Sequence, residues 1–67
     1  MTDNLHSLLR RLIELRIEHG DLDSLIDRVS LEGSPDELAL RRMKKRRLLL
    51  RDQISQLEAR LAPPEPA

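Results

Sequence analysis

The chain has 67 residues, with 12 Lys+Arg balanced by 12 Asp+Glu and 36% of all residues charged, so it can hold one small domain at most. With no Cys and no aromatic residue, it excludes a disulfide framework, a thiolate nucleophile, a Cys-ligated zinc site and any base-stacking platform. Two isolated His make a metal site unexpected, and no apolar run approaches the roughly 18 residues of a membrane span.

From Leu5 onward the apolar residues fall on a heptad. Leu5, Leu8, Leu12, Leu15, His19, Leu22, Ile26 and Val29 step alternately by three and four, with His19 the one polar interruption. This spacing predicts an amphipathic helix over about 3–30, with Thr2 or Asp3 available as N-cap. Gly20 costs a helix interior about 1 kcal/mol relative to Ala, and His19-Gly20-Asp21 could be read as a stop. The heptad nevertheless keeps its phase across the glycine, so one continuous helix is expected.

Next comes Leu31-Glu32-Gly33-Ser34-Pro35-Asp36-Glu37, the strongest punctuation in the chain. Gly33 suits the end of the first helix or the turn beyond it. Ser34 as N-cap, Pro35 at the first helical position and Glu37 at the third would form a capping box. A second helix over about 35–61 follows, ended by Pro63, Pro64 and Pro66 in a proline-rich tail over 63–67 that cannot continue it. Its seam is Leu40, Met43, Arg47, Leu50, Ile54, Leu57 and Leu61, again a heptad with one polar interruption.

Two heptad helices joined by a short turn fold back on each other, giving an all-α antiparallel hairpin over residues 1–62. Pairing Leu5/Leu61, Leu8/Leu57, Leu12/Ile54, Leu15/Leu50, Leu22/Met43 and Ile26/Leu40 gives residue-number sums of 65 or 66 throughout. In that register His19 and Arg47 share one polar layer. A pH-responsive role for it is conceivable, since His titrates near neutrality, but a register-fixing polar layer is the simpler expectation.

Residues 1–33 carry four basic and seven acidic side chains, and residues 34–67 carry eight and five. Seven of the cations lie in Arg41–Arg51 with no acid among them. Their first expected role is to face the acids Glu18, Asp21, Asp23 and Asp27, with Asp23–Lys44 and Glu18–Arg46 as predicted pairs. Arg41, Arg42, Lys44 and Lys45 cannot all be paired internally, which leaves weak, sequence-blind contact with a polyanion such as nucleic acid as the alternative.

Apolar residues also lie off the seam. Leu9, Ile13 and Ile17 form an i, i+4, i+8 row, and Leu48 falls on the same side, level with Ile17 in the register above. A two-helix hairpin has a thin core, so these four are expected to be an interface: first with a second copy, as a dimer or tetramer, otherwise with a helix of another protein. No Ser, His and Asp constellation, glycine-rich phosphate loop or desolvated acid pair is visible, so neither an enzyme nor a cofactor or small-molecule substrate is expected.

Glu18-His19-Gly20-Asp21-Leu22-Asp23-Ser24-Leu25-Ile26 resembles the Glu-His-x-x-Leu-Asp-x-x-Ile opening of the YdcH-like proteins. The block from Asp36 to Ile54 resembles their second-helix signature of an acidic start, a Leu/Met-framed run of Lys and Arg, and then Arg-Asp-x-Ile. The resemblance covers about residues 10–61. It implies a small bacterial, cytoplasmic two-helix hairpin, and it implies no activity. Gly20 and the proline-rich end depart from that pattern. The SlyX-like short coiled coils fit the middle block less well.

Overall fold

A computed structural model describes residues 4–33 and 36–62. It contains two helices, α1 (Asn4–Leu31) and α2 (Glu37–Leu61), packed side by side, and no strand among the described residues. The all-α hairpin is thus as expected, and α1 passes through Gly20 without interruption. Predicted features at Thr2, Asp3, Ser34, Pro35 and the tail over 63–67 lie outside the described residues.

The helix ends explain the turn. Glu32 N–H still donates to the Arg28 carbonyl at 3.0 Å, and Gly33 N–H donates to the Ser30 carbonyl at 3.3 Å. Gly33 has φ +68°, the left-handed conformation in which helices commonly stop and which costs glycine nothing. At the start of α2 the cap is Asp36 and not Ser34: its Oδ1 accepts from Ala39 N–H at 2.9 Å, and its carbonyl accepts from Leu40 N–H at 3.1 Å. Asp caps as well as Ser does, and Glu37 then occupies the first helical position, beside the positive end of the dipole.

These ends move the hairpin's centre. Helix α1 stops at Leu31 and α2 begins at Glu37, so the turn is centred near residue 34. The cross-helix ion pairs Arg16–Glu58, Glu18–Arg46 and Asp23–Arg47 have residue-number sums of 74, 64 and 70, as long side chains reaching along the groove allow.

Leu5, a seam residue by heptad, is 58% exposed. The core is Leu12, Leu15, Ile26 and Leu50, with Leu15 and Leu50 essentially inaccessible. The other seam residues are half-buried, as expected of helices covered on one side only.

Candidate functional site

The two polar seam residues, His19 and Arg47, are both half-buried. Arg47 Nη1 donates to Asp23 Oδ1 at 2.7 Å, so Asp23 is held by Arg47 and not by Lys44 as expected. The longer seam residue reaches the acid by lying across the groove edge, where α1 presents Asp23 one position from Leu22. The Glu18–Arg46 pair forms as predicted, with Nη2 and Nε donating to Glu18 Oε2 at 2.6 and 3.2 Å.

Two further contacts were not foreseen. Arg16 Nη2 donates to Glu58 Oε2 at 2.6 Å, tying the open half of the hairpin together. Both flank their helix's seam on its C-terminal side, Arg16 after Leu15 and Glu58 after Leu57, which is the signal that could have pointed to the pair. Within α2, Gln56 Nε2 donates to Asp52 Oδ2 at 3.1 Å.

On the edge opposite the Glu18–Arg46 pair, the helices leave a shallow cleft of about 420 Å³, lined by Arg16, His19, Asp23, Arg47, Leu48, Arg51 and Ile54. His19 and Arg47 thus line one cleft together. The apolar row is exposed as its spacing predicts: Leu9 42%, Ile13 57%, Ile17 60% and Leu48 64%. Leu5 extends it by one turn, giving Leu5, Leu9, Ile13 and Ile17 at successive i+4 positions. Leu25, Leu38 and Leu49 are exposed elsewhere.

The cations divide into two sets. Arg11, Arg16, Arg46 and Arg47 make ion pairs, the first with Glu14 at 3.9 Å. The other eight, Arg10, Arg28, Arg41, Arg42, Lys44, Lys45, Arg51 and Arg60, are exposed and make none among the described residues. No group of three His, Cys, Asp or Glu among the described residues could hold a metal ion. No described helix is long and apolar enough to cross a membrane.

No curated protein and no solved structure matches the chain. A family model does match, over residues 12–58. That span begins at the first core leucine and ends at the Arg16–Glu58 tie, so it takes in both helices, the turn and the cleft. The chain belongs to DUF465, a family of proteins of unknown function.

Proposed function

We propose that the chain is a non-catalytic helical-hairpin interaction module that self-associates through Leu9, Ile13, Ile17 and Leu48, with another helical protein as the alternative occupant of that surface. The observation carrying this reading is the exposure of the row on α1 in a hairpin that buries only four hydrophobic side chains among those described. A second hairpin packed on that row would complete a four-helix bundle. The YdcH-like resemblance is compatible with DUF465 membership, and with it goes the proposal of a bacterial, cytoplasmic protein.

Sedimentation equilibrium tests this reading. A dimer or larger species is expected at micromolar concentration, and Ile13→Asp with Ile17→Asp is expected to return it to monomer. A wild-type chain that stays monomeric up to high micromolar concentration would refute self-association.

A second reading, weak nucleic-acid binding, is favoured by the absence of ion pairs at Arg41, Arg42, Lys44 and Lys45 among the described residues. Such binding would fall steeply with salt and be indifferent to sequence. Binding unaltered by Lys44→Glu with Lys45→Glu would eliminate it.

A further inference from the structure

The cleft beside the seam borders the apolar surface at Leu48 but differs from it in being lined mainly by charged side chains. Three guanidinium groups, from Arg16 on α1 and from Arg47 and Arg51 on α2, line it together with the half-buried His19 imidazole. The carboxylates nearby do not saturate them. Asp23 takes Nη1 of Arg47, and Glu58, outside the lining, takes Nη2 of Arg16. Arg51 has no ion pair among the described residues, and each guanidinium carries five N–H donors in a rigid fork. Uncommitted donors therefore converge on one concavity from two helices, over an apolar wall made by Leu48 and Ile54.

We propose that this cleft is an anion site for a phosphate group, held by Arg47 and Arg51 with Arg16 and His19 at its border. A carboxylate offers two oxygens, which one bidentate arginine satisfies. A phosphate offers three or more acceptor oxygens and up to two charges, and so can engage Arg47 and Arg51 at once. Arg47 is the anchor. Only 31% of its side chain is exposed, and the Asp23 contact orients its fork while leaving Nε and Nη2 uncommitted. The site uses none of Arg41, Arg42, Lys44 and Lys45, and so stands apart from the polyanion reading.

The test is a titration of the full chain with inorganic phosphate at constant ionic strength, followed by amide chemical shifts, with acetate as the parallel arm. Saturable shifts at His19, Leu48, Arg51 and Ile54 with phosphate, and weaker ones with acetate, are expected. Arg51→Gln removes an exposed side chain and should leave the fold intact, as circular dichroism would verify. It should weaken phosphate binding about tenfold, the loss of one charge-assisted hydrogen bond. Lys44→Gln should leave binding unchanged. Linear, unsaturable shifts, equal responses to phosphate and acetate, or an Arg51→Gln chain that binds like the wild type would each overturn the proposal.

Discussion

At Gly20 a Cβ would meet nothing within 4 Å, and the residue sits inside an unbroken helix. Gly20→Ala is therefore expected to raise stability by about 0.5–1 kcal/mol in a urea titration, because alanine loses less backbone freedom on folding. Gly33 also has open space around it, but its φ of +68° reverses the expected sign. Gly33→Ala should destabilise by about 1 kcal/mol, since a side chain there crowds the following carbonyl. The contrast was legible only in part. Gly33 sits in obvious punctuation, whereas Gly20 could have been a stop, and only the continuity of the heptad argued otherwise. The cap was not legible. Ser34 and Asp36 are both competent, and the choice fell on Asp36. Replacing its side chain, Asp36→Ala, should cost about 1 kcal/mol by the same titration.

For the helices as elements, the register depends on where the turn is centred. Heptad positions recur every three or four residues, so sliding α2 by half a heptad still sets seam against seam, at the cost of placing His19 and Arg47 opposite leucines. Sums of 65–66 and of 69 both build a hairpin from this sequence. The turn centred near residue 34 favours the larger sum, so Leu12→Cys with Leu57→Cys, which sum to 69, should form a disulfide on mild oxidation. Leu8→Cys with Leu57→Cys should not, because their offset of about four residues, or 6 Å along the axis, exceeds what the bond geometry spans. Burial supplies an independent check on the same point. Leu50→Ala should cost about 2–5 kcal/mol, while Leu5→Ala, at 58% exposure, should cost well under 1 kcal/mol. In the other register Leu5 would have packed against Leu61, and the two substitutions would have been closer in effect. The exposed ion pairs tune this alignment but add little stability, about 0–1 kcal/mol each.

For the whole molecule, two helices make a single layer, and a seam residue is covered from one side only. That geometry leaves Leu9, Ile13 and Ile17 facing outward, and it is why self-association is proposed. Thermal unfolding offers a measurement complementary to sedimentation. If the hairpins assemble, the midpoint should rise with protein concentration, and it should become concentration-independent in the Ile13→Asp, Ile17→Asp chain. High salt should leave the assembly intact, since its contacts are apolar. The same salt should release any nucleic acid held by the unpaired cations of α2.

The amino-acid sequence by itself determined two amphipathic helices, the faces they turn to each other, the turn between them and the row of apolar residues left over, because each follows from local spacing and the chemistry of helix ends. Only the tertiary structure decided which side chains meet across the groove. Helix α1 ends at Leu31, before the left-handed Gly33, and α2 begins at Glu37, after the Asp36 cap, and those ends set the centre of the hairpin. The fold paired Arg47 with Asp23 and gathered three arginines around one cleft. A heptad pattern repeats along each helix and permits more than one alignment, and a choice between such alternatives rests on the geometry of the turn.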